Sequence, residues 1–177
     1  MLPPVRPVLL ITALFSRYPE VLDWAEQRLV EAWGPVALRS ERFAFTWSSY
    51  YDATMGPELL KGFLAFERLM DPAELAQRKV ESGAIEREAA ERFSVAEPRP
   101  LNLDPGYITE AKLVLATTKD RDHRIYLSQG IYAEVTLYYH AGTWKSRPWT
   151  YPDYGSASYH QFFVDCRNYL RGRYRSP

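Results

Sequence analysis

HRIYLSQGIYAEVTLYY, residues 123–139, is the most informative segment of the chain. It contains two runs rich in Ile, Tyr, Val and Thr, joined by Ser128-Gln129-Gly130. This pattern is typical of a β-hairpin with a short glycine-containing loop. Residues that lie opposite each other in such a hairpin share a face. The predicted pairs are Arg124 with Glu134, Ile125 with Ala133, Tyr126 with Tyr132 and, closing the turn, Leu127 with Ile131.

The two faces of this hairpin differ in chemistry, because side chains alternate along a strand. We expect an apolar face in the core, formed by Ile125, Leu127, Ile131, Ala133, Val135 and Leu137. The other face carries Arg124, Tyr126, Tyr132, Glu134, Thr136 and Tyr138. It is too polar for a core layer. We therefore interpret it as the floor of a functional site.

Composition limits the classes of protein to consider. The 177 residues suit one domain, residues 1–177, with a sizeable core. The 22 basic and 22 acidic side chains balance, which argues against a nucleic-acid partner. A single cysteine, Cys166, excludes an intramolecular disulfide. No apolar run is long enough for a membrane span and the N-terminus lacks signal-peptide features, so we expect a cytoplasmic protein with no membrane partner.

The order of predicted elements indicates an α+β fold. A strand at 7–14, a helix at 19–33, a strand over 36–47 interrupted near 41–42, a strand at 61–69, a helix from 71 to about 93 and a strand at 98–103 follow one another. This is the βαββαβ order of the ferredoxin-like fold. We expect that core to be extended by the 123–139 hairpin and a C-terminal helix.

Three connections carry further predictions. Asp104-Pro105-Gly106 predicts a turn after the fourth strand, since proline and glycine favour turns. Residues 109–118 fit a short helix capped by Thr109 or a strand, and we favour the helix. In the loop 48–57, Tyr50 and Tyr51 either cover a pocket or anchor the loop to the body of the protein.

Several segments resemble a family of bacterial and archaeal proteins known as DUF4416, a domain of unknown function. They are YY…MG (50–56), NLDPGY (102–107), KLVLATTKD (112–120), HRIYL (123–127), GIYAEVTLYY (130–139) and WTYPDY (149–154). The resemblance covers essentially the whole chain but implies no activity, cofactor or catalytic residue. The chain departs from the family at Thr54, where an acidic residue is usual, and at Ser82-Gly83, where Thr-Asn is usual. Neither position is therefore a good candidate for an indispensable catalytic group.

Candidate site residues are consequently chosen by their chemistry. Asp104, Glu134 and Asp153 are carboxylates that could serve in acid-base catalysis. The cationic and aromatic side chains that could bind an anionic ligand with a ring are Arg124, Tyr126, Lys112, Lys119, Tyr132 and Tyr151. We expect the protein to bind a small anionic molecule such as a nucleotide or a phosphorylated metabolite, either as a ligand only or as a substrate that it transforms. No cofactor follows from the sequence.

Two alternatives remain open at this point. Asp104, His123, Glu134 and Asp153 could gather a divalent metal ion, although the hairpin register places His123 on the apolar face, away from Glu134. Alternatively, Arg124 and Glu134 form a cross-strand ion pair and the tyrosines pack. The protein would then be a non-catalytic interaction module for a protein partner or RNA.

Overall fold

The computed structural model describes residues 4–175, and within them one antiparallel sheet of nine strands is covered by four helices. The chain is therefore an α+β protein. The strands are β1 (Val8–Ser16), β2 (Val36–Arg39), β3 (Phe43–Ala44), β4 (Leu60–Met70), β5 (Asn102–Ile108), β6 (Lys112–Thr117), β7 (Ile125–Ser128), β8 (Ile131–His140) and β9 (Thr143–Ser146). The helices are α1 (Pro19–Trp33), α2 (Asp52–Met55), α3 (Leu75–Arg92) and α4 (Ala157–Arg175).

The strands lie in the order β2-β4-β1-β5-β6-β8-β7, with β3 paired to β4 and β9 to β8. The predicted helix at 19–33 is confirmed, as is the helix from 71 to about 93 after a short 3-10 turn. The predicted strands at 7–14 and 61–69 and the interruption between β2 and β3 are also confirmed. The C-terminal helix is present as α4.

Two apolar layers enclose the sheet. Helices α1 and α3 cover one face, where they pack on alternate residues of β1, β4 and β6. Helix α4 covers the other face, together with the aromatic residues around the 3-10 turn Pro152–Gly155. The strand β1 is buried along its whole length because it lies between both layers. Among the described residues, no helix combines the length and the hydropathy needed to cross a membrane.

The predicted turn at Asp104-Pro105-Gly106 is wrong, because β5 continues through all three residues and begins later than expected. The N–H of Leu103 points away from β1, toward α3. Pro105, two residues on, faces the same way, so its missing N–H costs no strand pairing. A Cβ on Gly106 would lie 2.3 Å from the carbonyl oxygen of Val114, so only glycine fits there without a shift.

The predicted helix at 109–118 is also wrong, because these residues form a tight turn followed by β6. Thr109 accepts hydrogen bonds from the N–H groups of Ala111 and Lys112, so it caps a turn that precedes a strand. Along β6, Val114 packs in the α1/α3 layer, whereas its two neighbours pack in the α4 layer. Burial on both faces explains why the apolar run lacked the alternation of a one-sided strand.

The 123–139 hairpin is confirmed as β7 and β8, and it extends the sheet beyond β6. Ile125 pairs with Ala133 and Tyr126 with Tyr132, as predicted, whereas the turn closes between Ser128 and Ile131. The predicted closure at Leu127 is therefore wrong by one residue.

The predicted core face of this hairpin is wrong in part. Ile125 is 74% exposed because β7 is the last strand in the sheet order, whereas Glu134 and Thr136 are buried. A register shift in the β6 and β8 pairing places Leu137 in the α4 layer. Ile131 packs in the opposite layer. Strict alternation therefore fails along β8.

Candidate functional site

A cavity of about 580 Å³ lies where the loops before β4, the α3 face and the end of the hairpin meet. Both sheet faces contribute to its wall, so it extends across the sheet. Six of the candidate site residues chosen from the sequence line it: Asp104, Lys119, Arg124, Glu134, Tyr151 and Asp153.

The cavity exists because β5 and β6 diverge. Within residues 4–175, β5 pairs with β6 only from Gly106 to Ile108, which leaves the backbone at 102–105 without a strand on that side. Side chains of α3 take the place of the strand: Leu103 donates its N–H to Glu86 Oε1 at 2.7 Å, and its carbonyl accepts from Lys79 Nζ at 2.7 Å. These hydrogen bonds satisfy the backbone groups of Leu103 and place polar side chains at the opening.

Asp104 lies at this opening within a chain of polar contacts. Lys79 Nζ lies 3.2 Å from Asp104 Oδ1, and Asn102 donates to Asp104 Oδ2 at 2.9 Å. Arg99 in turn donates to Asn102 Oδ1 at 2.7 Å. Burial opposes ionisation of Asp104, but Lys79, Lys61 and the two hydrogen bonds outweigh it and lower the pKa of the carboxyl group. Asp104 is therefore a carboxylate at neutral pH.

Glu134 lies at the hairpin side of the cavity and is buried. Arg124 Nε donates to Glu134 Oε2 at 2.8 Å, and the Thr136 hydroxyl donates to Glu134 Oε1 at 3.2 Å. His123 Nε2 lies 3.2 Å from Glu134 Oε2, so the prediction that His123 points away from Glu134 is wrong. His123 precedes β7 and is not bound by strand alternation; its ring stacks on Trp149 instead.

Lys61, a residue that sequence reasoning missed, forms the inner wall. It is 1% exposed, and its Nζ lies 2.5 Å from Asp153 Oδ2. The rings of Phe15 and Tyr154 flank the ammonium group at 4.3 and 4.2 Å from their centroids. Burial lowers the pKa of Lys61 more than the nearby carboxylates of Asp153 and Asp104 raise it.

Basic side chains surround Tyr50 at the mouth. Lys119 Nζ donates to the Tyr50 hydroxyl at 2.6 Å, and this hydrogen bond is the main reason that the pKa of Tyr50 is lowered. The charges of Lys119, Arg99 and Arg121 lower it further. The guanidinium of Arg121 makes no hydrogen bond or ion pair within residues 4–175. Tyr51 packs instead on Phe15, so one tyrosine anchors this loop while both line the cavity.

Three of the ligand-binding candidates lie away from this cavity. Tyr126 and Tyr132 contact each other edge to face, with ring centroids 5.4 Å apart, next to the outer edge of the sheet. Lys112 is exposed at the start of β6, opposite Tyr138. The hairpin face is thus divided, and only its Arg124 and Glu134 end reaches the cavity.

The four residues of the metal alternative are not gathered at one point. Among residues 4–175, no group of three or more His, Cys, Asp and Glu side chains is arranged to hold a metal ion. His123 and Glu134 are in contact, whereas Asp153 pairs with Lys61 and Asp104 with Lys79. The structure therefore gives this alternative no support.

Residues 6–169 match the family model of the domain of unknown function DUF4416. The chain belongs to the DUF4416 family. Comparison with curated proteins found no match. All the residues that line the cavity fall within the matched DUF4416 range. All six segments that carried the resemblance contribute to its wall; for example, 102–107 supplies Asn102 and Asp104, and 149–154 supplies Tyr151, Asp153 and Tyr154.

The cavity residues missed from the sequence had detectable signals. Side chains two residues apart in a strand lie on the same face, so Lys61 shares its face of β4 with Phe63 and Ala65. Lys79 and Glu86 are seven residues apart, on one side of α3, and Gly83 lies between them. These inward-facing charged residues could not be recognised from the sequence, because α3 is rich in charged residues as a whole. The end of β5 that they contact could not be predicted either, because a turn was expected there.

Proposed function

We propose that this DUF4416 domain binds a small anionic molecule in the cavity of about 580 Å³. The observation that carries the proposal is the distribution of charge along the wall. In the interior, each cation has a carboxylate partner: Lys61 has Asp153, Lys79 has Asp104, and Arg124 has Glu134. At the mouth, the positive charge is largely unneutralised.

The mouth is suited to an anionic group. Lys119 contacts the Tyr50 hydroxyl rather than a carboxylate, and the Arg121 guanidinium has no carboxylate partner among residues 4–175. Arg99 is 4.0 Å from Glu86, at the limit of an ion pair. Guanidinium groups bind phosphate and carboxylate through two parallel hydrogen bonds. A phosphate or carboxylate would therefore lie between Lys119, Arg121 and Arg99.

The wall behind the mouth is aromatic. Phe45 and Tyr51 pack edge to face with ring centroids 5.9 Å apart, and Tyr151 and Trp47 line the same space. Aromatic side chains of this kind favour a planar ring. A nucleotide or a phosphorylated metabolite combines both features, and the side-chain oxygens of Asp104 and Glu134 would accept hydrogen bonds from its hydroxyl or amino groups.

We also assign the first part of the chain to the ferredoxin-like topology. The succession β1, α1, β2, β4, α3, β5 has the βαββαβ order, and the strands lie as β2-β4-β1-β5 with antiparallel neighbours. In this arrangement β1 separates β4 from β5. Lys61 and Asp104 therefore reach one cavity from strands on either side of β1.

A thermal-shift panel of nucleotides, sugar phosphates, organic acids and divalent metals tests the proposal. A ligand at about a hundred times its dissociation constant stabilises the native state by ~2.7 kcal/mol. We expect an anionic ligand to raise the melting temperature of the wild type and of Arg68→Met, a control at an exposed arginine outside the cavity. The shift should be lost in Arg121→Met. Equal shifts in both variants would contradict the proposal.

A second candidate, a protein-interaction module, is favoured by the exposed apolar strand β7. Ile125, Tyr126 and Leu127 are 74%, 57% and 39% exposed at the edge of the sheet. An edge strand of this kind can accept an extended peptide as an additional strand. If this is the function, no ligand of the panel should raise the melting temperature of the wild type or of Arg121→Met.

A further inference from the structure

Lys61 is a cation within a layer of mainly apolar side chains. It lies on β4 opposite Phe15 of β1 and Phe43 of β3, and it faces the α4 layer. The rings of Phe63 and Tyr159 lie 5.3 and 5.2 Å from its Nζ, in addition to those already described. The amine is thus surrounded by aromatic side chains and 1% exposed.

An ion pair in such a place is not explained by stability. Taking both charges out of water costs several kcal/mol for each ion, and apolar residues of similar volume often stabilise as well or better. Lys61 and Asp153 are 2% and 4% exposed at their side chains. Burial lowers the pKa of the Lys61 amine, and the amine lies next to a cavity. Lysines that react as nucleophiles share these features.

The cavity reaches this amine together with two further polar groups. Lys61, Asp153 and Tyr154 all line it. The Tyr154 hydroxyl is buried and has no hydrogen-bond partner within residues 4–175. Because buried polar groups in proteins nearly always have a partner, we interpret this hydroxyl as a hydrogen-bond donor to a ligand. The amine, its carboxylate partner and the residue that carries the unpartnered hydroxyl thus line the cavity together.

We propose that Lys61 forms an imine with an aldehyde or ketone group of the ligand. The inference rests on the proposed function and narrows the ligand to an anion that carries a carbonyl group. The Lys61 ammonium first passes a proton to the Asp153 carboxylate. The neutral nitrogen then bonds to the carbonyl carbon, the C=O π bond breaks, and the oxygen takes up that proton, with Tyr154 donating a hydrogen bond to it.

Loss of water completes the reaction. The carbinolamine gives up its hydroxyl with one proton from nitrogen, the C–O bond breaks and a C=N bond forms. An amine and a carbonyl compound thus yield an imine and water. No atom changes its oxidation state overall, so no oxidant or reductant is needed.

Borohydride trapping tests the inference on the wild-type protein. The probe is pyridoxal 5′-phosphate, used for its ring, phosphate and aldehyde. After reduction with sodium borohydride, the modified lysine is identified by proteolysis and mass spectrometry. At limiting probe we expect the adduct on the buried Lys61 in preference to the exposed Lys112. If the exposed lysines are modified and Lys61 is not, the inference is overturned.

Two controls separate this inference from the proposed function. Lys61→Arg keeps a positive charge beside Asp153 but forms no trapped amine adduct, so the label should be lost; Lys112→Met, at an exposed lysine outside the cavity, should retain it. Pyridoxine 5′-phosphate, which lacks the aldehyde, should still give an Arg121-dependent thermal shift. If this shift is found without any Lys61 adduct, the inference fails and the proposed function stands. If neither ligand binds, both fail.

Discussion

The ion pair between Lys61 and Asp153 should contribute little to stability as a pair, although either charge alone is strongly destabilising. The two side chains are 2% and 4% exposed, and Asp153 Oδ2 lies 2.5 Å from Lys61 Nζ. Lys61→Met leaves a buried carboxylate without its cation, and Asp153→Leu leaves a buried ammonium without its anion. Each change should lower the free energy of unfolding by about 3–5 kcal/mol.

The double variant Lys61→Met with Asp153→Leu removes both charges and should recover most of this loss. Apolar replacements of buried ion pairs are often neutral or stabilising by about 1–4 kcal/mol. We therefore expect the free energy of unfolding of the double variant to be no more than about 1 kcal/mol below that of the wild type. The two substitutions would then be strongly non-additive, because they act on one contact.

Urea denaturation followed by circular dichroism measures all four proteins of this cycle. A loss of 3–5 kcal/mol lowers the midpoint by about 1.5–2.5 M urea for an m-value of about 2 kcal/mol/M. Additive losses in the double variant would refute the reasoning, since they would mean that the two side chains stabilise the fold through separate contacts. A single Lys61→Met variant as stable as the wild type would refute it as well.

Four other variants test separate parts of the structure. Gly106→Ala should cost about 1–3 kcal/mol, because its Cβ would lie 2.3 Å from the Val114 carbonyl oxygen, and an unchanged urea midpoint would contradict this. Burial raises the pKa of Glu86 above 4.5, so the wild type should lose stability as pH rises from 4.5 through that pKa; Glu86→Gln should lack this slope. Arg124→Met should destabilise more than Glu134→Gln, because a glutamine can still accept the hydrogen bond from Arg124, whereas Arg124→Met removes the guanidinium partner of the buried Glu134; the reverse order in denaturation would argue against their pairing.

The sequence allowed the helices, the long strands and the hairpin to be predicted because their patterns are local. The β1 run and the helix begun at Asp71 required no knowledge of distant residues. The strand at Gly106 could not be predicted, since its glycine is needed for close approach to Val114 rather than for a turn. That contact joins two strands and is invisible in either one alone.

The candidate site was predicted in part for the same reason. Asp104, Glu134 and Asp153 stood out as isolated carboxylates, and all three line the cavity. Their cationic partners come from elements distant in sequence: Lys79 is 25 residues from Asp104, and Lys61 is 92 residues from Asp153. Such pairs depend on the order of strands and on the opening between β5 and β6. Alternation and helical spacing identify which face a residue occupies, but they do not identify its partner.

An NMR titration of ¹⁵N-labelled protein with the anionic ligands of the panel tests most directly whether the cavity binds a small anion. We expect the amides that shift to surround the cavity, at 47–51, 79–86, 99–104, 115–121 and 151–154. The β7 amides at Ile125–Leu127 should not move. Unchanged spectra across the panel, or shifts confined to β7, would contradict the account and favour an interaction surface at the edge of the sheet.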